Sequence, residues 1–359
     1  MVMDLRYLRE FYSGKKVFIT GHTGFKGSWL SSILIGVGAD VMGYSLPAPE
    51  GPGHFNLLQL EKKLHNIYGD IRDAEHLASS LIDFEPEYVF HLAAQALVRP
   101  SYERPVDTFS TNVMGSVSLL EAVRRCSSVR SLVYITSDKC YENVEWIWGY
   151  RENDVLGGRD PYSASKAAAE IVFSSYARSF FSQRNHLGAA STRAGNVIGG
   201  GDWAVDRIIP DCVRQICGER PIKLRNPRAT RPWQHVLEPL SGYLLLATKL
   251  FKEPSKWSGA WNFGPQASET RTVEDVARAI VGHLGRGQID ISPTYNQLHE
   301  ANLLQLNCDK AGQLLGWFPR WGVDQTLKFT ADWYKEYMMG NDVAKVSWAQ
   351  VTDYFGSGA

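Results

Sequence analysis

Lys16-Val-Phe-Ile-Thr20 is a short apolar, β-branched run, and Gly21-His-Thr-Gly24-Phe-Lys-Gly27 follows it without a break. Ser28-Trp-Leu-Ser-Ser-Ile-Leu then repeats apolar residues at helical spacing. A buried strand that turns through glycines straight into a helix admits few folds. It is the opening unit of a parallel α/β sheet, and it sets a pyrophosphate on a helix N-terminus. The spacing is G-x-x-G-x-x-G, a departure from the commoner G-x-G-x-x-G. Gly21, His22, Gly24, Phe25, Lys26 and Gly27 are the candidate phosphate-loop residues.

The pattern then repeats. Asp40-Val-Met-Gly-Tyr44, His65-Asn-Ile-Tyr-Gly69, Tyr88-Val-Phe-His-Leu92, Ser131-Leu-Val-Tyr-Ile-Thr136 and residues 188–193 read as further strands. Helices are expected over 74–84, over 106–126 with Asn112 on it, and over 237–251, 273–284 and 325–337. Strands alternating with helices predict an α/β, Rossmann-type doubly wound parallel sheet, its ligands beyond the strand C-termini. The second strand ends in Tyr44-Ser45, hydroxyls for a ribose, with neither acid nor arginine. That favours NAD over NADP, although Lys26 sits in the phosphate loop. Asp70 and Ile71 are placed to bracket an adenine. Leu92, Ala93 and Ala94 let a nicotinamide riboside lie against the backbone, or else serve tight helix packing. A dinucleotide domain is expected over 1–193, with 233–260 returning to it. A smaller C-terminal α/β substrate lobe is expected over 194–232 and 261–340, with 341–359 as a tail.

Asp160-Pro-Tyr-Ser-Ala-Ser-Lys166 carries the chemistry. Asp160 and Pro161 read as N-cap and first helical residue, and Tyr162 and Lys166 lie one turn apart on one face. Lowering a phenol from about 10 to about 7 needs roughly 4 kcal/mol. A lysine charge about 4 Å away, at an effective dielectric near 20, supplies about that much. A lone Tyr-x-x-x-Lys is a common accident; with Ser137 at a strand end it becomes a hydride-transfer set. Ser137 hydrogen-bonds a carbinol, Tyr162 takes its proton, and Lys166 tunes the phenol and holds ribose hydroxyls.

Lysine plus arginine and aspartate plus glutamate number 38 each, so no polyanion-binding surface is indicated and nucleic acid is not an expected partner. Five scattered cysteines, with no C-x-x-C and no His/Cys grouping, point to reduced thiols in a cytoplasm and to no metal. The N-terminus lacks an apolar signal region, and no run reaches the roughly 20 apolar residues of a membrane span. Arg207, Lys223, Arg225, Arg228 and Arg231 suit a diphosphate clamp, since guanidinium forks match phosphate oxygens. Lys223 and Arg228 are expected to be plain solvated surface.

Taken with Arg193-Ala-Gly-Asn-Val-Ile-Gly-Gly-Gly-Asp-Trp203, Thr136-Ser-Asp-Lys-Cys-Tyr141 and Thr230-Arg-Pro-Trp-Gln-His-Val236, the chain resembles extended short-chain dehydrogenases acting on nucleotide sugars, in particular their 4,6-dehydratases. The resemblance implies tightly held NAD, CDP-glucose as substrate, a homo-oligomer (dimer or tetramer) and a bacterial role in 3,6-dideoxyhexoses of O-antigen. It implies contacts to substrate from Gln95, Asn196, Trp203, Arg207 and Arg231, with Arg231 on the diphosphate. Asp138, protonated, would be the general acid for the departing 6-hydroxyl. Relatives acting on dTDP-glucose have Thr-Asp-Glu where this chain has Ser137-Asp138-Lys139. Lys139 is therefore expected to act at C5, as a neutral base or as a charge on the enolate. A 4-epimerase shares the cofactor loop and the Tyr/Lys pair without needing Asp138 and Lys139. A nucleotide-glucuronate decarboxylase would need a 6-carboxylate site, and a non-catalytic NAD-sensing scaffold would be expected to lose Ser137, Tyr162 or Lys166.

Overall fold

The computed structural model describes residues 3–291 and 303–356. The expected strands form: β1 Lys16–Thr20, β2 Asp40–Ser45, β3 His65–Tyr68, β4 Tyr88–His91, β5 Ser131–Ile135 and β6 Gly188–Ala194. They join a seven-stranded parallel sheet ordered Gly259–Phe263, β6, β5, β4, β1, β2, β3. The order reverses between β1 and β4, and the switch point there opens the crevice that receives ligands in such sheets.

Side-chain alternation builds a core on each face. Val17, Ile19, Tyr88, Phe90, Val133 and Ile135 join one cluster with the helices Leu5–Tyr12, Phe25–Gly36 and Leu237–Lys252. Phe18, Val89, Leu132 and Tyr134 face the other, against Ala74–Phe84, Gly115–Arg125 and Pro161–Ser179. Two glycines hold the first turn tight. Gly21 has φ +75°, and a Cβ on Gly27 would stand 2.1 Å from the Gly21 carbonyl oxygen. Only a residue without a side chain fits either place.

Three expectations need correction. The helix expected over 106–126 is interrupted: Pro105–Phe109 leads into a π-helical turn, Ser110–Met114, before Gly115–Arg125. The strand Gly259–Phe263 pairs with β6 across its length, so the boundary expected between 260 and 261 falls inside the sheet. The stretch 341–359, read as a tail, contains the helix Val343–Phe355. Val351, Tyr354 and Phe355 join the core, and the Trp348 ring lies where a side chain on Gly36 would be. His54 bridges Ser28 Oγ and Ser347 Oγ at 3.0 and 3.2 Å, stacked on Trp29. The last helix thereby braces the helix that follows the glycine turn.

Among the described residues no helix is long and apolar enough to cross a membrane. Beyond β6 the chain makes short strand pairs, such as Thr230–Pro232 with Thr270–Thr272, and the helices Ile208–Cys217, Val273–Leu284 and Val323–Met338.

Burial lowers the imidazoles of His54, His91 and His235 to about 3 each, so they are neutral in the fold. Unfolded, each binds a proton near pH 6.5, so stability is lost as pH falls below that value. Three extra protons on the unfolded chain correspond to about 4 kcal/mol per pH unit. Glu238, pushed up to about 6, works the other way between its unfolded value and 6. Urea midpoints measured from neutral pH downward are expected to fall, and His54→Gln should reduce the slope by about one proton. An unchanged slope in that variant would place the His54 titration outside the unfolding reaction.

Candidate active site

A single continuous cleft of about 1960 Å³ runs over the C-terminal ends of β1, β2, β4 and β5. Sites for one small molecule span about 300–1,000 Å³, so this one has room for two ligands side by side.

At one end lies the glycine turn. Gly24 is the N-cap of Phe25–Gly36 and supplies no side-chain cap, leaving first-turn N–H groups for an anion. Gly21, Gly24, Phe25, Lys26 and Gly27 all line the cleft, as do Ser45, Asp70, Ile71, Leu92, Ala93 and Ala94. Thr23, which the sequence reading passed over, also lines it; its hydroxyl meets Ser45 Oγ at 2.8 Å and donates to the Leu46 carbonyl. Arg72 grips Asp70 through Nε and Nη2 and holds that carboxyl below its usual range.

Three expected cofactor residues do not reach the cleft. The Tyr44 side chain is fully buried and donates to the Asp70 carbonyl at 3.0 Å, because alternation along β2 turns it to the core and Ser45 to the ligand side. His22 is buried too, its Nε2 2.6 Å from Asn66 Oδ1. Asn112, in the π-helical turn, accepts from the Gln95 amide and donates to the Gln95 carbonyl and Ser165 Oγ. These three shape the walls. Gln95 lines the cleft, but its amide is spent on Leu97 and Thr108.

At the centre, Ser137 caps a short 3₁₀ turn, Asp138–Cys140, and donates to Asp138 Oδ1 at 2.9 Å. Asp160 caps Pro161–Ser179 as expected, accepting from the Ser163 amide. The Tyr162 amide is fixed by Ser101 Oγ at 3.1 Å, an anchor the sequence reading did not find. Among the groups around the Tyr162 hydroxyl, Ser137 is the one that most favours its phenolate. Ser137, Asp138, Lys139, Tyr162 and Lys166 all line the cleft.

Electrostatics here are ruled by burial. It raises Asp138 above the ordinary carboxylate range against the pull of Lys139, Ser137 and Arg231. Burial lowers Lys166 to about 8, opposed first by Glu170. Lys26 is also brought to about 8 by burial and by the like charges of Lys166 and Arg207. Tyr162 departs from expectation: burial pushes it up to about 12, and the groups that favour its phenolate are Ser137 and Arg207 rather than Lys166. The fall to about 7 argued from the Tyr/Lys spacing is absent, because the same burial that brings the pair together penalises the phenolate.

The far wall carries the cations. Arg207 donates to Asp202 Oδ2 at 2.8 Å and precedes Ile208–Cys217. Arg231 lies in the strand Thr230–Pro232, donates to the Thr230 carbonyl, and lowers Asp138 electrostatically. Asn196 accepts from the Gln234 amide through its carbonyl. Trp203 meets Tyr334 and Tyr337 edge-on, so much of its ring serves packing. Asp206 bridges Arg225 and Arg99, a contact that no local pattern announced. Lys223 and Arg228 are exposed.

A Rossmann-type sheet with serine, tyrosine and lysine converging on its switch-point cleft defines the extended short-chain dehydrogenase class. Residues 18–330 match the family model described as GDP-mannose 4,6 dehydratase, and the chain belongs to that family. It is 50% identical over 353 residues to a CDP-glucose 4,6-dehydratase of Salmonella typhimurium, covering 97% of this chain and 98% of that one. A dTDP-glucose 4,6-dehydratase of Bacillus anthracis, solved in complex with NAD, superposes with a TM-score of 0.77 at 21% identity, over 92% of this chain and all of the other. A Thermus thermophilus UDP-glucose 4-epimerase in complex with NAD also gives 0.77, at 26% identity, over 89% and 99%.

Tyr44→Phe is expected to cost about 1 kcal/mol of stability by deleting one buried hydrogen bond. Dinucleotide affinity should stay within about twofold, whereas Thr23→Val, altered at the loop itself, should weaken it severalfold. Calorimetric titration with NAD checks both, and a large loss in Tyr44→Phe would return that side chain to the binding site.

Proposed function

We propose that the chain converts CDP-D-glucose to CDP-4-dehydro-6-deoxy-D-glucose and water, holding NAD along the glycine turn. The observation that carries the reading is the buried Asp138, kept toward its acid form beside Ser137 and Tyr162 in one cleft. An epimerase has no use for that acid. The 50% identity to a CDP-glucose 4,6-dehydratase over almost the full length of both chains supports the choice of nucleotide sugar.

The site fits the cofactor: the side-chain-free cradle of Gly21 and Gly27, the open first turn after Gly24 and the small floor of Ala93 and Ala94 all admit a dinucleotide. A bound NAD would supply a reversible hydride acceptor for oxidation at sugar C4 and reduction at C6. The protein's residues manage protons and position. Ser137 orients the 4-hydroxyl, and Tyr162 takes its proton, the phenolate favoured by Ser137 and Arg207. Oxidation at C4 acidifies C5–H, and Lys139 beside the substrate either takes that proton or stabilises the enolate. Asp138 donates to the leaving 6-hydroxyl, so water departs across C5–C6. Arg231, assisted by Asn196 and Arg207, holds the diphosphate. A homo-oligomer, a cytoplasmic setting and a role in O-antigen dideoxyhexose synthesis belong to the same proposal. Val106, Phe109, Met114 and Ile171, exposed apolar residues on neighbouring helices, and Phe180 at the end of one of them, support the oligomer.

Incubation with CDP-, dTDP- and UDP-glucose, following the base-induced absorbance of a 4-keto-6-deoxy product, tests the function. CDP-glucose should be turned over far faster than the others, and product from dTDP-glucose alone would refute the reading. Lys139→Met is expected to keep substrate-dependent NAD reduction while losing exchange of the C5 hydrogen with deuterated solvent. Wild-type exchange in that variant would remove Lys139 from the mechanism, and elimination restored in Lys139→Glu would identify the position as a base. Arg231→Ala should weaken CDP-glucose binding by at least about tenfold with NAD binding nearly unchanged, as loss of a bidentate phosphate contact implies.

A further inference from the structure

Directly behind the catalytic cluster stands a buried carboxylate that the reaction does not touch. Glu170 lies one helical turn beyond Lys166 on Pro161–Ser179 and is 3% exposed. It accepts from Thr136 Oγ1 at 2.5 Å, from Ser191 Oγ at 2.8 Å and from Arg193 Nη2 at 2.8 Å. These donors come from the residue before Ser137 and from the middle of β6, so one carboxylate fastens two strands to the catalytic helix. Arg193 continues inward, donating to the Tyr141 hydroxyl and the Glu152 carbonyl. Neither Glu170 nor Arg193 lines the cleft.

A buried ion pair is a poor way to gain stability, since desolvation consumes most of its attraction. Its placement suggests another use. We propose that Glu170 is a positioning residue, its carboxyl group, paired with Arg193, keeping Lys166 an ammonium while its bond to Thr136 sets Ser137 against Tyr162. This rests on the role given above to Ser137, Tyr162 and Lys166. Among the charges that hold the proton on Lys166, that of Glu170 weighs most. On its own helix are Tyr162 and Glu170. His91 of β4 is neutral, and the thiol of Cys140 is pushed well above its ordinary range by burial, so it is neutral as well. Lys26, from the glycine turn, repels. Arg193 lies on the far side of Glu170, and removing Glu170 alone would leave its positive charge unopposed. Lys166, already brought to about 8 by burial, would then lose its proton within the neutral range.

Lys166 lines the cleft, so its protonation can be read directly by trace acetylation with acetic anhydride from about pH 6 to about pH 10, quantified on its peptide by mass spectrometry. The measurement uses the full chain and no sugar nucleotide, so its outcome is independent of which substrate the enzyme takes. In Glu170→Gln the midpoint is expected to fall by about one pH unit or more, a roughly tenfold rise in neutral amine at a given pH. Glu170→Gln/Arg193→Gln leaves no unpaired buried charge. It should move the midpoint in the same direction and decides the matter if the single variant does not fold. Thr136→Val removes a hydrogen bond and no charge, and the midpoint should stay in place. An unchanged midpoint in the Gln variants overturns the proposal, as does an equal fall in Thr136→Val, which would trace the effect to the hydrogen-bond frame alone.

Discussion

Desolvation at the C-terminal edge of the sheet is the constraint on which the rest depends. Lys26, Asp138, Tyr162 and Lys166 share one water-poor space, and burial is the first cause of every shift among them. It drives all four toward their neutral forms. Each unit of such a shift is about 1.4 kcal/mol, so the cluster holds several kcal/mol of unfavourable solvation that a fold selected only for stability would avoid. The charges that relieve it are Lys139 and Arg231 beside Asp138, Asp138 itself for Lys26, Glu170 behind Lys166, and Arg207 across the cleft from Tyr162. A reactive site of this kind is a local deficit that the surrounding packing must offset.

The packing does so with unusual directness. The sheet is covered on both faces, and buried polar bonds tie its catalytic edge together alongside apolar contact. Ser101 fixes the Tyr162 amide, Asn112 spans Gln95 and Ser165, and Glu170 collects Thr136, Ser191 and Arg193. Polar networks of this type are costly when incomplete and specify geometry sharply when satisfied. The π-helical turn at Ser110–Met114 belongs to the same scheme: one extra residue in the turn delivers Asn112 to a backbone segment it must bracket on both sides.

Much of this was legible in the chain, because strand, glycine turn and capped helix are written locally. Asp160-Pro161 announced its helix, and all the catalytic candidates reach the cleft. What stayed hidden depends on parity and on distant partners. Tyr44 and Ser45 are neighbours with hydroxyls, and only the pairing of β2 decides which faces the ligand. His22 sits inside the phosphate-loop motif, yet its ring answers to Asn66 on β3. The acidity of Tyr162 could not be read from its spacing to Lys166, since spacing reports proximity and says nothing of the water removed. The helix Ile208–Cys217 has a local apolar repeat in Ile209, Cys212, Val213 and Ile216, interleaved with arginines that carry a competing signal for a polar loop.

The last helix has a consequence for how the molecule comes into being. Val343–Phe355 supplies Ser347 to His54 and Trp348 to Gly36, and so completes the support of the helix that begins at the glycine turn. The strand, glycine turn and helix over residues 16–36 are therefore finished by the last helix described. A nascent chain can build its sheet early, but the helix after the glycine turn lacks its brace until translation has passed Phe355. The support of the helix after the glycine turn in this way waits on a residue 293 positions beyond His54.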